Sequence, residues 1–201
     1  MMTNPEKGFS MIEVLVTIVI LMIGLLGLAG LQSRALTAQM ESYQRAQALI
    51  LLKDLGDRID ANRKNAGSYV TTSLTPYPYL GTDNAITPNC AALAAGKPRD
   101  FCEWNNALLG AAEVQSGSAN VGAMLGARGC VYQVVAPASG VAAQYLVVVA
   151  WQGMNSTAAP DVTTAVSAGK CGYGLYKNRA GTVNEFLHRV VTLPITVADL
   201  L

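Results

Sequence analysis

The sequence predicts an α+β fold in which one long N-terminal helix precedes a head domain built on an antiparallel β-sheet. Two observations support this class. An apolar run near the N-terminus leads into residues 31–55, which contain neither glycine nor proline. The strand candidates all lie from residue 130 onward, where sequential apolar segments favour antiparallel pairing. A chain of 201 residues suits one such domain plus an appendage.

The composition locates an unusual apolar segment and argues against nucleic-acid binding. Hydrophobic residues make up 51% of the chain and charged residues 13%, whereas about 25% charged residues are typical of soluble proteins. Residues 14–33 carry no charge and account for much of this difference. The net charge is only +1, and the charges of residues 34–64 have mixed sign, which predicts a solvated helix face.

The apolar run of residues 14–31 is 18 residues long, just enough for a helix to cross the hydrocarbon core, which takes about 20 residues. Three interpretations fit it. One is a secretory signal peptide with small residues at Gly27 and Ala29, although the run exceeds the usual apolar region of about 7–15 residues. Another is a plain anchor. The third is a segment whose short hydrophilic leader ends at Gly8 and is cut on the cytoplasmic side.

Glu13 distinguishes these interpretations. A carboxylate within a membrane costs about 2.5–3.5 kcal/mol on insertion scales, and neither a signal peptide nor a plain anchor needs one. Cleavage after Gly8 would place a new α-amino group on Phe9, one helical turn from Glu13. The two charges can neutralise each other. Alternatively, Glu13 of one subunit can pair with the Phe9 amine of its neighbour and so set the axial register of an assembly.

Residues 7–16, Lys-Gly-Phe-Ser-Met-Ile-Glu-Val-Leu-Val, closely resemble the cleavage and methylation motif of type IV pilins and pseudopilins. The resemblance implies cleavage between Gly8 and Phe9, N-methylation of Phe9, both by a prepilin peptidase, and the assembly role of Glu13. It also implies a pilin-like fold in four parts. These are a leader peptide (1–8), a transmembrane and filament-core helix (9–33), its amphipathic continuation (34–64) and a globular periplasmic head (65–201).

Three glycines, Gly24, Gly27 and Gly30, recur at intervals of three in the apolar segment. Glycine lowers helix stability by about 1 kcal/mol relative to alanine. Small residues also permit close helix packing in membranes. The spacing therefore allows two interpretations, close packing against neighbouring helices or a segment that loosens in the filament, and many pilins have a proline here that this chain lacks.

Beyond the apolar segment, the residues at positions 36–50 predict an apolar helix face against which the sheet packs. This face consists of Leu36, Met40, Tyr43, Ala46 and Ile50, and Leu52, Leu55 and Ile59 extend it. A single helix from near Phe9 to near Asn62 follows. Residues 43–48 and the run Asp-Arg-Ile-Asp-Ala-Asn-Arg at 57–63 are similar to a family of minor pilins, the type IV pilus modification proteins.

The four cysteines, Cys90, Cys102, Cys130 and Cys171, indicate disulfides in an oxidising compartment. No C-x-x-C pair occurs and His188 is the only histidine, so a zinc site is disfavoured and no cofactor is expected. Three pairings are open. Cys90 with Cys102 and Cys130 with Cys171 are favoured, because the first closes a short loop and the second ties two strand ends.

The head is predicted to contain three strands, at residues 130–136, 144–151 and 185–195. Residues 65–100, punctuated by prolines, and residues 114–128 are expected to be loops, with a short helix between them at 102–112. Residues 153–184 are expected to form a long exposed loop suited to specific contacts. His188 is expected to be an exposed strand residue.

No catalytic constellation is present in the sequence, so the predicted protein is a structural subunit and not an enzyme. The pilin resemblance implies a precursor in the inner membrane whose head lies in the periplasm and which later enters a pilus. It implies the prepilin peptidase, other minor pilins, the major pilin and the pilus assembly machinery as partners. A pseudopilin of a type II secretion system and a pilus-borne adhesin are the alternatives.

Overall fold

The computed structural model describes residues 8–111, 114–115, 119–120, 122, 124–164 and 166–198. Residues up to Ser42 and residues from Tyr43 onward form two compact units. The helices are α1 (Met11–Ala61) and α2 (Lys97–Leu108). The strands are β1 (Leu80–Gly81), β2 (Val114–Gln115), β3 (Ala119–Asn120), β4 (Arg128–Val135), β5 (Ala143–Gln152) and β6 (His188–Val197). Residues 1–7 of the predicted leader lie outside the described part.

The predicted α+β fold with a long helix and an antiparallel sheet is confirmed. Four strands pair in the order β1-β4-β5-β6, and every pairing is antiparallel. β5 is central, with a ten-residue register against β6 that runs from Ala143 opposite Val197 to Gln152 opposite His188. The predicted strands are present within two or three residues of their expected bounds. The two-residue edge strand β1, in a segment predicted to be loop, was not expected.

One face of the sheet packs against the second part of α1. Ala48, Leu52, Leu55 and Ile59 are buried in one cluster that also contains Val131, Val147 and Val149 of the sheet. The helix approaches β6 closely at Gly56, where a Cβ atom would lie only 2.7 Å from Cδ2 of Leu193.

The predicted packing face of α1 is only partly correct. Leu52, Leu55 and Ile59 are buried, but Tyr43 and Ile50 are exposed, as are Leu36 and Met40. At 100° per residue, Ile50 and Leu52 point in nearly opposite directions. The two sets therefore form separate stripes, and the face that the head covers is continued by Ala48 and Gln44.

Helix α2 covers the same side of the sheet. It begins at Lys97 with Pro98 in its first turn, a position where the missing N–H costs nothing, and so starts earlier than the predicted residue 102. Its Trp104 is fully buried and donates from Nε1 to the Leu51 carbonyl at 2.8 Å. A Cβ on Gly129 of β4 would lie 2.2 Å from the Trp104 ring, so only glycine admits the indole here.

The opposite face of the sheet is covered by the segment between β5 and β6. Cys130, Val148 and Ala150 point to this side, where Cys171 and Tyr176 bury them. The prediction that residues 153–184 form an exposed loop is therefore wrong for residues 167–176, where Ser167, Gly169, Cys171, Gly172 and Tyr176 are buried. Strand residues alternate between faces, and the nearly continuous burial of β5 shows that both faces are covered.

Two disulfides are present in the favoured pairing. Cys130–Cys171 has an S–S distance of 2.02 Å and joins β4 to the covering segment. Cys90–Cys102 has an S–S distance of 1.98 Å and joins a loop to α2. No free cysteine occurs. The predicted loop at 114–128 falls partly on residues outside the described ones, and its described residues include the short β2–β3 pair.

Candidate functional site

The N-terminal segment of the chain places the predicted cleavage residues immediately before α1. Gly8, Phe9 and Ser10 are exposed and precede the first helical residue, Met11. The Ser10 hydroxyl accepts a hydrogen bond from the Ile12 N–H at 3.3 Å, and the Ser10 carbonyl accepts one from the Glu13 N–H at 3.0 Å. Serine is a favoured residue at helix starts because it satisfies these otherwise free N–H groups. The Gly8–Phe9 bond therefore lies outside the helix, between two exposed residues.

Glu13 lies in the first turn of α1, where the helix dipole favours a carboxylate. Its side chain is exposed. In the uncut chain Phe9 lies outside the helix, so the structure does not bring Phe9 and Glu13 together on one helical turn. A pair within one subunit would require the helix to extend back to Phe9. A pair between Glu13 and the amine of another subunit does not require this.

The apolar part of α1 is exposed along its whole length. Every valine, isoleucine, leucine and methionine from Met11 to Met40 is exposed. An 18-residue window of α1 has a mean hydropathy of 2.8 and is not buried at all. By length and composition this helix can cross a membrane. Thr17 is the one polar side chain within residues 14–31, and its hydroxyl donates to the Val14 carbonyl at 2.8 Å. This hydroxyl therefore needs no further hydrogen-bond acceptor in lipid.

Helix α1 continues without a break through Gly24, Gly27 and Gly30. A Cβ atom at any of the three would meet nothing within 4 Å. Within the single chain, these glycines therefore leave shallow notches on an intact helix. The two interpretations of the glycine spacing, close packing and loosening in a filament, both remain open.

The end of α1 carries an ionic network that the sequence did not assign. The guanidinium of Arg58 contacts carboxylates at Asp54, Asp100 and Glu103, with distances of 3.0, 3.3 and 2.5 Å. Burial opposes the charged form of Arg58, but the hydrogen bonds to Glu103 and Asp54 outweigh it and raise the pKa. The network therefore fastens α1 to α2.

A tyrosine extends this network to the turn after α1. Tyr69 donates its hydroxyl to Asp100, and Asn62 donates to the same hydroxyl at 3.1 Å. Burial and the bond to Asp100 raise the pKa of Tyr69 to about 12, so this hydroxyl stays a donor. Arg58 and Asn62 belong to the run at residues 57–63, which is recognisable in the sequence. The sequence did not show that Asp100, Glu103 and Tyr69 are the partners of these two residues.

A second polar chain lies under the segment that covers the outer face of the sheet. Arg128 is nearly buried, pairs with Asp83 at 2.7 Å and lies 5.3 and 5.2 Å from the rings of Tyr79 and Tyr176. Such cation–π contacts stabilise a desolvated guanidinium. Arg128 thus joins β4 to both flanking segments.

The prediction that His188 is exposed is wrong. The residue is buried, its Nδ1 lies 2.8 Å from Oε2 of Glu185, and its ring lies 4.5 Å from that of Tyr176. Burial lowers the pKa of His188, and the bond to Glu185 opposes that shift only in part. Within the described ranges no group of three or more histidine, cysteine or acidic residues is arranged to hold a metal ion.

Comparisons with known families agree with the N-terminal features. Residues 3–29 match the model of the prokaryotic N-terminal methylation motif. Residues 30–104 match the family model described as type IV pilin Tt1218. The two matches adjoin and together span the apolar helix, its continuation, the network of Arg58 and most of α2. No curated protein and no solved structure shows significant similarity to this chain.

Proposed function

We propose, from the matches of residues 3–29 to the N-terminal methylation motif and of residues 30–104 to a type IV pilin family model, that this chain is a minor pilin of the PilV kind, a type IV pilus modification protein. The observation that carries this proposal is the combination of the methylation motif with Glu13 at the start of an exposed apolar helix. The run at residues 57–63 narrows the proposal to PilV. In this proposed role the protein is a structural subunit and catalyses no reaction.

The proposed route starts in the inner membrane. The precursor spans the bilayer once through residues 9–33, with its leader in the cytoplasm and residues 65–201 in the periplasm. The two disulfides support a periplasmic head, because such bonds persist in oxidising compartments. A prepilin peptidase cuts between Gly8 and Phe9 and methylates the new amine of Phe9, and the exposure of both residues suits that access.

Assembly into the pilus is the step in which Glu13 acts. An unpaired carboxylate in lipid costs about 2.5–3.5 kcal/mol, and the Phe9 amine of a neighbouring subunit neutralises it. The charge pair then fixes the axial position of one helix against the next. We place this subunit in an initiating or tip complex with other minor pilins, followed by the major pilin.

The test combines a charge-neutral variant with analysis of the mature N-terminus. Glu13→Gln keeps the shape of the side chain, so we expect normal membrane insertion, normal cleavage and a methylated Phe9 by mass spectrometry. Incorporation into sheared pili should fall about tenfold or more, which corresponds to loss of a pairing energy above about 1.4 kcal/mol. Glu6→Gln is the control, since cleavage removes position 6 from the mature subunit.

Normal incorporation of Glu13→Gln would contradict the pairing, and a mature N-terminus at Gly30 would contradict the pilin pathway. A type II secretion pseudopilin is the second candidate, because the methylation motif is common to both systems. Deletion of the gene separates them: loss of pili and twitching motility supports the pilus role, whereas loss of protein secretion alone supports the pseudopilin.

A further inference from the structure

A cavity of about 610 Å³ opens at the end of the sheet, between the turn after α1 and the β4–β5 hairpin. Its volume falls within the range of about 300–1,000 Å³ that small-ligand pockets occupy. Arg63 and Lys64 lie on one side, and Gln133 and Tyr145 contribute polar groups. The remaining walls include aliphatic residues of the hairpin and of the end of β6.

The Tyr145 side chain supplies a hydrogen-bond donor to this cavity. The residue is only 2% exposed, but its hydroxyl is not an enclosed, unsatisfied group. It lines the open cavity and makes no hydrogen bond within the described residues. Burial raises the pKa of Tyr145, so the hydroxyl keeps its proton. The amide of Gln133 likewise has no partner within the described ranges. Both groups line the cavity and remain available to a ligand.

The charge of the cavity has one sign. Arg63 and Lys64 are exposed at its rim, and among the residues that the structure describes no aspartate or glutamate lines it. Arg63 uses Nε to donate to the Asp60 carbonyl at 3.3 Å, which leaves the terminal nitrogens of its guanidinium for another acceptor. Lys64 forms no ion pair within the part of the chain that the structure describes. An anion is therefore the complementary charge.

The apolar lining residues indicate which group the ligand carries besides its anionic group. Val141, Ala143 and Val197 line the cavity from the hairpin, from β5 and from β6, and Tyr145 is the only aromatic residue among the described residues that line it. We propose that this cavity binds an aliphatic carboxylate, with its acid group toward Arg63, Lys64 and the Tyr145 hydroxyl and its alkyl part against the valines. This site is independent of the proposed role in pili.

Two sources share this chemistry, a free branched-chain acid and the carboxyl end of a polypeptide. The full chain in deuterated detergent micelles is titrated with isovalerate and with N-acetyl-alanyl-leucine, and binding is followed by saturation-transfer NMR of the ligand. The uncharged amide of the same dipeptide is the matched control. Binding of isovalerate at least as tight as that of the dipeptide supports a free acid as the ligand, and tighter binding of the dipeptide supports a chain end.

The expected loss for the dipeptide amide is about tenfold in apparent Kd, because charge-assisted bonds to the carboxylate disappear. Lys64→Gln should also weaken acid binding about tenfold. Tyr145→Phe, which removes only the hydroxyl, should weaken it about fivefold. Arg179→Gln removes an exposed cation that does not line this cavity and should change nothing.

Lys64 is exposed, so its variant tests the site even if Tyr145→Phe impairs folding. Absence of saturation transfer to both acids would overturn the proposal. Equal affinity for the acid and its amide, or unchanged affinity in Lys64→Gln, would overturn it as well. None of these outcomes bears on leader cleavage or on Glu13, so this proposal and the proposed pilin function fail separately.

Discussion

The two parts of α1 have the same secondary structure and opposite environments. Up to Met40 the large apolar side chains are all exposed, and Leu25 is 65% exposed. From Gln44 onward one face is buried by the head, and Leu55 is fully buried. Leucine is therefore packed among other side chains in the second part of α1, whereas in the first part it is exposed.

This difference separates folding from assembly. The head buries its apolar residues by itself, and burial of a leucine side chain contributes about 1.5–3 kcal/mol to its stability. The exposed part of α1 obtains no such contribution from the chain. Under the proposed function it obtains burial first from lipid and then from neighbouring subunits. Changes in the head should therefore alter unfolding, and changes in the exposed part should alter insertion and assembly.

The largest expected effect is that of removing the Cys130–Cys171 disulfide. Its sequence separation is 41 residues, and closing such a loop stabilises a fold by about 4 kcal/mol in the chain-entropy description. Replacing both cysteines by serine should lower the free energy of unfolding by about that amount. Guanidinium unfolding of the full chain in detergent, followed by tryptophan fluorescence, reports on the head alone, because Trp104 and Trp151 are both buried there.

The Cys90–Cys102 pair is the matched control for this measurement. Its separation is 12 residues, for which the same description gives about 3 kcal/mol. It joins a loop to α2, whereas Cys130–Cys171 joins the covering segment to the sheet. If loss of Cys130–Cys171 leaves unfolding unchanged, the covering segment does not depend on its covalent link to the sheet.

The next effect is a direct comparison of two leucines on one helix. Leu55→Ala should lower the free energy of unfolding of the head by about 3 kcal/mol, because it leaves a cavity in a packed core. Leu25→Ala should change it by less than about 0.5 kcal/mol, as expected of a side chain outside any core. The same fluorescence measurement serves both variants. Equal destabilisation by the two would show that the exposed part of α1 contributes to the stability of the head.

Local pattern was sufficient to predict the main elements of this fold. Residues 31–55 contain no helix breaker, and the continuous apolar run within β5 marks a strand covered on both faces. The roles of Gly8, Phe9 and Glu13 come from the resemblance of residues 7–16 to a known cleavage motif, and they stay predictions. These signals are local because helix and strand periodicity depend on neighbours in the chain.

The sequence predictions that are wrong concern which segment of the chain covers a given surface. The choice between the stripe of Ile50 and that of Leu55 depends on where the sheet docks, which periodicity cannot show. Burial of His188 depends on a segment held by Cys171, and the network of Arg58 depends on Asp100, 42 residues away. The cavity beside Tyr145 likewise joins three distant segments. Such features arise from tertiary packing, and one sequence does not show which distant residues come into contact.

The smallest expected effect is a pH dependence located in the head. Burial, the main cause, lowers the pKa of His188 from its ordinary 6.5. The unfolded chain then binds a proton that the folded chain does not. The contribution of neutral His188 to the free energy of unfolding is fully present above about pH 6.5. It is lost as the pH falls from there toward the lower pKa that His188 has in the folded chain. The slope should not exceed about 1.4 kcal/mol per pH unit.

Unfolding in detergent between about pH 7.5 and pH 5 measures this slope, and the variant His188→Gln, which has no titrating group there, should flatten it. Leu25→Ala is the control and should keep the slope of the original protein, since its site lies outside the core. Asp83 does not interfere: burial, the largest cause, would raise its pKa, but the hydrogen bonds to Arg128 and Tyr79 and the charge of Arg128 together hold it below the ordinary 3.8. An unchanged slope in His188→Gln would assign the pH dependence to another group, and a changed slope in Leu25→Ala would couple the exposed helix to the core.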